Sequence, residues 1–256
     1  MPVSYVCDMD GVIYHGSRLI PGALDFVRKL QEGGHKFLFL TNNSQWTPRD
    51  LKHKLEQMGI AVPESSFHTS ALATADFLKR QKPRGTAYVI GGAGLTHALY
   101  SAGFTLTEHD PDYVVVGETR SYDYEKIERA VRLIIKGARF IATNPDVTGP
   151  TEQGITPACG ALVAPIELAT GKKPYFVGKP NPLMMWTALH ALQASPDSTF
   201  MVGDRMDTDI IAGTEAGMRT ILVLSGVTSR ELIETYPYRP THIYEDVGHI
   251  PVGELG

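Results

Sequence analysis

Residues 5–12 read YVCDMDGV, an apolar run that is followed at once by two aspartates and a glycine. The apolar residues Tyr5 to Cys7 are typical of a buried strand, so Asp8 and Asp10 fall at its carboxyl end. Open α/β sheets bind their ligands at that end of their strands. Two neighbouring carboxylates repel each other unless a cation neutralises them, and their oxygen atoms suit magnesium. Alone, the motif indicates either a magnesium site or an ordinary acidic turn.

A second polar strand end follows the apolar residues 37–40 and reads TNNS, residues 41–44. The hydroxyl of Thr41, the amides of Asn42 and Asn43 and the backbone N–H groups could hold phosphoryl oxygens there. The same residue types also favour a helix N-cap and a loop, so this motif is weak when taken alone.

A third strand end carries Lys179, in the sequence GKP of residues 178–180, directly after the apolar residues 175–177. A lysine at this place can neutralise a phosphate group and a nearby carboxylate. Most lysines are simply solvated surface charges, so this assignment depends on the other strand ends.

The fourth strand end reads GDRMDTDI, residues 203–210, and has more acids than one helix cap needs. Asp204 lies nearest the strand and is the better metal ligand. Asp209, one turn into the following helix, is a candidate for fixing the loop or Lys179. Asp207 needs no role beyond a charge at the helix N-terminus. Because four polar strand ends in one predicted sheet are hard to obtain by chance, together they indicate a phosphate and metal site.

Strand-like and helical stretches alternate along the chain, which predicts a parallel sheet with helices on both faces, a doubly wound, Rossmann-like α/β core. A second alternating series occupies the middle of the chain, and clusters of helix- and strand-breaking residues lie at its edges, residues 82–85 and 170–174. We therefore predict a core of residues 1–81 and 175–256 with an inserted α/β domain of residues 82–174.

The composition favours a small substrate. The 256 residues carry a formal net charge of −4, which leaves no basic face for a nucleic acid polymer as the main partner. Cys7 and Cys159 are too few for a disulfide framework, so a reducing cytosol is the simplest compartment. The N-terminus lacks a signal segment, and no apolar run approaches the roughly 18 residues of a membrane helix, so a cytoplasmic protein without membrane anchor is predicted. None of these patterns indicates an oligomeric state.

The four strand ends, in this order, resemble the motifs of the haloacid dehalogenase (HAD) superfamily of phosphatases. The matching positions are DMDGV (residues 8–12), Thr41-Asn42, Lys179 and Gly203-Asp204 with Thr208-Asp209. Residues 69–71, 117–122, 143–146 and 157–161 resemble the NagD-like branch, which carries a large α/β cap inserted between the second and third motifs. The inserted domain predicted above has that position.

The resemblance implies a role for each matching residue. Asp8 would be the nucleophile and a magnesium ligand. Asp10 would protonate the leaving alcohol, later activate the attacking water, and bind the metal through its backbone carbonyl. Lys179 would balance the charge between Asp8 and the phosphate.

The remaining matches imply phosphate and metal binding. Thr41 and Asn42, with Asn43 beside them, would bind the transferring phosphoryl group. Asp204 would complete the Mg²⁺ site, with Asp209 in support. The presence of Asp10 argues against the dehalogenase members of the superfamily, which lack this second acid.

The expected activity is magnesium-dependent hydrolysis of a small phosphomonoester through an aspartyl-phosphate intermediate. Nucleoside 5′-monophosphates are the favoured substrates, and a sugar-phosphate or phosphoglycolate-type phosphatase is the alternative. The cap should close over the core and read the leaving alcohol, with residues 143–146 and 157–160 as candidates for that contact or for cap scaffold.

Three other functions fit parts of the sequence. A phosphorylatable signalling receiver also combines acids, a hydroxyl and a lysine, but it would be a single compact domain with its phosphoacceptor on an interior strand. The string VIGGAG, residues 89–94, resembles a dinucleotide fingerprint but lacks the final glycine, so we interpret it as a cap strand turning into a helix. A phosphomutase would use the same core with a different acceptor.

Overall fold

The computed structural model describes residues 3–151 and 154–255. Met1, Pro2 and Gly256, at the two ends of the predicted core, lie outside the described residues, as do residues 152 and 153 of the predicted inserted domain. The chain divides into two compact units. The first unit comprises residues 1–41, 50–68 and 179–256, and the second comprises residues 42–49 and 69–178.

Strands and helices alternate along most of the chain. The strands are β1 (Ser4–Asp8), β2 (Tyr14–His15), β3 (Arg18–Leu19), β4 (Phe37–Thr41), β5 (Phe67–Thr69), β6 (Thr86–Ile90), β7 (Thr105–Leu106), β8 (Tyr113–Val116), β9 (Arg139–Ala142), β10 (Thr148–Thr151), β11 (Gly154–Pro157), β12 (Tyr175–Phe176), β13 (Thr199–Gly203), β14 (Arg219–Val223) and β15 (His242–Tyr244).

The α-helices are α1 (Ala23–Glu32), α2 (Pro48–Gln57), α3 (Ser70–Gln81), α4 (Ala93–Ser101), α5 (Tyr124–Lys136), α6 (Cys159–Thr170), α7 (Pro182–Leu192), α8 (Ile211–Glu215) and α9 (Arg230–Ile233). A π-helical segment, Met206–Ile210, leads directly into α8, and short 3₁₀ turns occur at Glu64–Ser66, Pro196–Ser198 and Val247–His249. None of the helices formed by residues 3–151 and 154–255 combines the length and the apolar character needed to cross a membrane.

The first unit is built on a six-stranded sheet with the strand order β15-β14-β13-β1-β4-β5. β1 pairs in parallel with β13 on one side and with β4 on the other, and β14 and β15 continue the sheet in parallel. The chain therefore moves away from β1 in both directions, so the topological switch point lies between β1 and β13. The predicted doubly wound, parallel α/β core is confirmed.

The two central strands of this sheet are buried along their whole length. All five residues of β1 and all five of β13 are buried, as expected for central strands that are covered on both faces. The ring of Tyr5 stacks on that of Phe200 at 5.8 Å between centroids, and Phe26 of α1 meets Tyr5 edge-on. This packing fixes the register of β1 and β13, and with it the positions of the polar residues at their ends.

The second unit has its own five-stranded parallel sheet, with the strand order β12-β9-β8-β6-β7. Helices α5 and α6 bury apolar residues against it, among them Ile134 and Val163. β10 and β11 pair in antiparallel orientation and precede α6 in the chain. The switch point of this sheet lies between β6 and β8, because the chain reaches β7 on one side and β8, β9 and β12 on the other.

The strand predicted for the core at residues 175–177 is wrong in its sheet. Tyr175 and Phe176 form β12, which pairs with β9 at Ile141 and Ala142 in the second sheet. The physical reason is local connectivity: β12 follows α6 after a short loop, so the chain completes a parallel βαβ unit on β9, the last strand of the second sheet before the helix. An apolar run alone does not specify which sheet it joins.

The limits of the two units also differ from the predicted boundaries. The contacts place them at residues 68/69 and 178/179, whereas the sequence suggested 81/82 and 174/175. Helix α3 packs against α4 of the second unit and therefore belongs with it. Residues 42–49, which the sequence placed in the core, are also part of the second unit. Breaker residues mark loops, but a loop need not coincide with a boundary between contact clusters.

Candidate active site

The switch point of the first sheet carries a cluster of three carboxylates. Asp8 is the last residue of β1, and Asp204 directly follows β13, its neighbour in the sheet. Asp209 lies in the π-helical segment that follows. One carboxylate oxygen of each residue lies within 4.8 Å of the others, so the three could hold a metal ion. Three of the predicted site residues, all in the described part of the chain, therefore lie together in this cluster.

Lys179 lies between two of these carboxylates. Its Nζ is 2.8 Å from Oδ1 of Asp8 and 2.7 Å from Oδ1 of Asp209, and the lysine side chain is only 3% exposed. Burial lowers the pKa of Lys179, but the negative charges of Asp209 and Asp8 outweigh this effect and raise it above the usual lysine value. The lysine therefore stays positively charged, directly beside the carboxylate predicted to be the nucleophile.

Both carboxylate oxygens of Asp209 already accept hydrogen bonds from the protein. Oδ1 accepts from Lys179 at 2.7 Å, and Oδ2 accepts from the backbone N–H groups of Asp204 at 3.2 Å and Arg205 at 3.0 Å. A Cβ atom on Gly203 would lie 2.2 Å from Cβ of Asp209, so the approach of this helix turn to the strand requires glycine. These contacts fit the predicted supporting role, in which Asp209 fixes both the loop and the lysine.

The loop that follows β14 contacts the carboxylate of Asp204 closely. Its Oδ2 accepts a hydrogen bond from the N–H of Val227 at 2.8 Å. Cβ atoms on Gly11 and Gly226 would lie 2.6 Å and 2.0 Å from the same oxygen, so two glycines make room for this carboxylate. The hydroxyl of Ser225 donates to the carbonyl of Gly11 at 2.7 Å and ties the two loops together.

The motifs of the sequence did not indicate the loop that follows β14. Residues 225–227 read SGV and come just after the apolar strand β14, so the rule that found the other strand ends would have found them as well. These residues contribute a backbone N–H group and, at the glycine, the absence of a side chain. The residue types alone do not show that either feature is used at the site.

The electrostatics of the cluster favour binding of a cation. Burial and the charge of Asp209 raise the pKa of Asp8 to about 7, although Lys179 opposes the rise. Burial and the charges of Asp209 and Asp8 likewise raise the pKa of Asp204 well above its usual value. One lysine therefore does not compensate the negative charge of the cluster, and a divalent cation on these hard oxygen atoms would stabilise the ionised carboxylates.

Asp10 lies apart from the carboxylate cluster. Its side chain is 47% exposed, and its Oδ1 is 3.9 Å from Nδ1 of His15. Burial raises the pKa of Asp10, and the positive charges of Lys54 and His15 oppose the rise. The Nζ of Lys54 is held 3.7 Å from the centre of the Tyr14 ring. A half-buried carboxyl with a raised pKa suits a group that exchanges protons with a bound molecule.

The other predicted residues are found in three places. Thr41 ends β4 and follows the Asp8↔Leu40 pair of the sheet register. Asn42 and Asn43 belong to the second unit, where their side-chain amides donate to Asp146 at 2.7 Å and to Glu118 at 3.2 Å. Asp207 pairs through both oxygens with the guanidinium of Arg205 at 3.0 and 2.8 Å and is 48% exposed, which fits a surface charge.

Comparison with known proteins covers nearly the whole chain. Residues 5–105 match the family model described as haloacid dehalogenase-like hydrolase, and residues 176–250 match a second HAD-hydrolase-like model. The dihydroxyacetone phosphatase of Corynebacterium glutamicum is 50% identical over 97% of this chain and 90% of its own length. The ribonucleotide monophosphatase NagD of Escherichia coli is 48% identical over 96% of this chain and 97% of its own length. The solved structure of NagD from E. coli K-12 superposes with a TM-score of 0.94 at 47% identity, covering 98% of this chain and all (100%) of that one.

Replacing Gly226 by alanine should displace the Asp204 carboxylate, because the new Cβ would lie 2.0 Å from its Oδ2. We expect Gly226→Ala to lower the free energy of unfolding by about 1–3 kcal/mol, as overpacking of a filled site does. Gly149→Ala is the matched control, since its Cβ would meet only Cγ2 of Thr156 at 3.9 Å, and its free energy should change by less than about 0.5 kcal/mol. Denaturant unfolding of both variants checks this, and equal stability of the two would contradict the close contact.

Proposed function

The chain belongs to the haloacid dehalogenase-like hydrolase family, and we propose that it is a magnesium-dependent phosphomonoesterase that works through an aspartyl-phosphate on Asp8. The observation that supports this most is the buried Lys179 between Asp8 and Asp209, with Asp204 beside them at the switch point of the sheet. This arrangement pairs a nucleophilic carboxylate with a fixed positive charge and with a cluster of oxygen atoms that suits a cation. In this proposal the first unit is the catalytic core and the second unit is the inserted cap.

The carboxylates of Asp8 and Asp204 and the backbone carbonyl of Asp10 would hold Mg²⁺, with Asp209 in support through its hydrogen bonds. When bound, the cation supplies positive charge that screens the phosphate from the carboxylates. Lys179 adds a second positive charge from the protein itself. Thr41, Asn42 and Asn43 are the proposed ligands of the transferring phosphoryl group.

The first chemical step transfers the phosphoryl group to Asp8. A carboxylate oxygen of Asp8 attacks phosphorus in line with the leaving oxygen, so one O–P bond forms while the ester O–P bond breaks. Asp10, in its protonated form, gives its proton to the leaving alkoxide. The raised pKa of this carboxyl increases its protonated fraction near neutral pH, as a general acid requires.

The second step releases phosphate and restores the enzyme. Asp10, now ionised, takes a proton from water as that water attacks phosphorus, and the bond between phosphorus and the Asp8 oxygen breaks. Inorganic phosphate leaves, Asp8 is again a carboxylate, and Asp10 is again protonated. Lys179 stays charged throughout because its two carboxylate partners raise its pKa.

We propose nucleoside 5′-monophosphates as the substrates, in line with the name of the E. coli relative, ribonucleotide monophosphatase NagD. A three-carbon or sugar phosphate is the second candidate, because the relative that is 50% identical is named for dihydroxyacetone phosphate hydrolysis. In either case the proposed site is the same, the substrate is a small phosphorylated metabolite, and the cytoplasm is the proposed compartment.

Phosphate release from a panel of metabolite monoesters with Mg²⁺ tests the activity. We expect turnover with nucleoside 5′-monophosphates to exceed that with sugar and triose phosphates. Asp8→Asn should reduce release by about 10³-fold or more, since it removes the nucleophile. The matched control is Asp207→Asn, whose exposed carboxylate pairs with Arg205 at the surface, and it should keep its activity. Release by Asp8→Asn at the wild-type rate would refute the nucleophile assignment.

Removal of the second acid should expose the intermediate. With p-nitrophenyl phosphate, whose leaving group needs little protonation, we expect Asp10→Asn to release one equivalent of nitrophenol rapidly and then turn over about 10²- to 10⁴-fold more slowly than wild type. Intact-protein mass should show the bound phosphoryl group on this variant. A wild-type protein that itself keeps the phosphoryl group without turnover would indicate a signalling receiver instead.

The stabilising effect of Mg²⁺ should depend on pH. The pKa of Asp8 is about 7 in the fold against 3.8 as its ordinary value, so the folded state binds more protons between these pH values. The contribution of this carboxyl to the free energy of unfolding of the metal-free protein therefore falls as the pH rises from about 4 to about 7. Because Mg²⁺ prefers the ionised carboxylates, it should raise the thermal midpoint more at pH 8 than at pH 5. A larger rise at pH 5 would contradict the site, and Asp204→Asn should diminish the effect at pH 8.

A further inference from the structure

Residues 42–46 of the chain lie at the carboxyl ends of strands in the second sheet. Ser44 is fully buried there, and its hydroxyl accepts a hydrogen bond from the N–H of Glu118 at 2.9 Å and one from the hydroxyl of Thr143 at 3.2 Å. The N–H of Gly94 donates to the carbonyl of Gln45 at 2.9 Å. Glu118 follows β8 and Thr143 follows β9, so residues 42–46 occupy the place where an open α/β sheet ordinarily binds a ligand.

Glycines in this region admit the segment. A Cβ atom on Gly94 would lie 2.5 Å from the carbonyl oxygen of Trp46 and 2.6 Å from that of Ser44, and one on Gly117 would lie 2.8 Å from Oγ of Ser44. The glycine-rich string at residues 89–94, which resembles a dinucleotide fingerprint, thus has a different physical role. It lets the backbone of residues 44–46 approach the switch point between β6 and β8.

Two acids at this place hold the asparagine side chains. Oδ2 of Asp146 accepts from Nδ2 of Asn42 at 2.7 Å and from Nδ2 of Asn144 at 2.8 Å. Oε2 of Glu118 accepts from Nδ2 of Asn43 at 3.2 Å. An amide that donates to a carboxylate has its orientation fixed, because reversing it would bring the amide oxygen against the negative charge.

The same contacts argue against a cation site at this acid pair. Amide N–H groups, which are donors, point at both carboxylates and neutralise part of their charge. Burial and the charge of Asp146 raise the pKa of Glu118 to about 7, so this pair avoids carrying two full charges at neutral pH. The cluster is therefore built to hold amide groups in place.

We propose that Asp146 and Glu118 are positioning residues for phosphate binding, because they fix Asn42 and Asn43 in the segment that follows Thr41. This inference rests on the proposed function, in which these three residues bind the transferring phosphoryl group. In this proposal Asp146 affects binding of the phosphoryl group, which all phosphomonoesters share. A residue that read the leaving alcohol would instead distinguish one ester from another.

The test compares three constants in Asp146→Ala, Asp146→Asn and wild type with Mg²⁺. They are the KM for p-nitrophenyl phosphate, the KM for a nucleoside 5′-monophosphate and the inhibition constant of inorganic phosphate, which has no leaving group. We expect Asp146→Ala to raise all three by one common factor of about 10 or more, the cost of losing hydrogen bonds to a charged acceptor. Asp146→Asn keeps an oxygen that can accept from both amides, so it should show a smaller common factor.

Glu118→Gln provides the same comparison on the second acid and, like Asp146→Asn, keeps the shape of the side chain should Asp146→Ala fail to fold. The matched control is Asp110→Asn, a change of the same chemistry at a side chain that is 86% exposed in the same unit, and its constants should equal those of wild type.

Two results would overturn the positioning role while the phosphatase activity stands. In the first, KM rises for one ester only and phosphate inhibition is unchanged, which would make Asp146 a reader of the leaving group. In the second, thermal stability falls in all three variants but the three constants do not move, which would leave the acids a purely structural role. A wild-type protein that releases no phosphate from any ester would instead refute the proposed function itself.

Discussion

The ion pairs of one buried lysine bring three segments of the first unit together. Lys179 is 3% exposed, and its two carboxylate partners, Asp8 and Asp209, are 13% and 0% exposed. Taking such charges out of water costs several kcal/mol per ion unless each is paired and hydrogen-bonded, and removing one partner of a buried pair costs about 3–5 kcal/mol. The end of β1, the helical turn after β13 and the chain that begins at residue 179 must therefore meet at one point.

The place where these segments meet is also the candidate active site. Lys179 compensates part of the negative charge of Asp8 and Asp209. Asp204 adds a further buried carboxylate, which lies close to the backbone of the glycines at positions 11 and 226 because they have no side chain. The surplus of negative charge raises the pKa of Asp8 and Asp204, which destabilises the ionised cluster until a cation compensates it. In the proposed function, a divalent cation and an anionic phosphate would bind here together, because each neutralises part of the charge of the other.

Part of this site was predictable because parallel strands bring their carboxyl ends to one edge, so Asp8, Asp204 and Asp209 could be grouped from their positions at the end of β1 and after β13. The same argument does not account for Lys179, because the strand before it joins the second sheet. Other features depend on contacts that no local pattern specifies. The sheet that β12 joins is set by its connection through α6. The pairs Asn42 with Asp146 and Asn43 with Glu118 join residues 104 and 75 positions apart, so only the fold reveals them.

A crystal structure with Mg²⁺ and beryllium fluoride, a mimic of a phosphoryl group on a carboxylate, would show whether Asp8 carries the phosphoryl group. We expect the fluoride complex bound to a carboxylate oxygen of Asp8, Mg²⁺ on Asp8 and Asp204, and Lys179 still paired with Asp209. Beryllium fluoride and Mg²⁺ bound elsewhere, with the carboxylate of Asp8 bare, would contradict it.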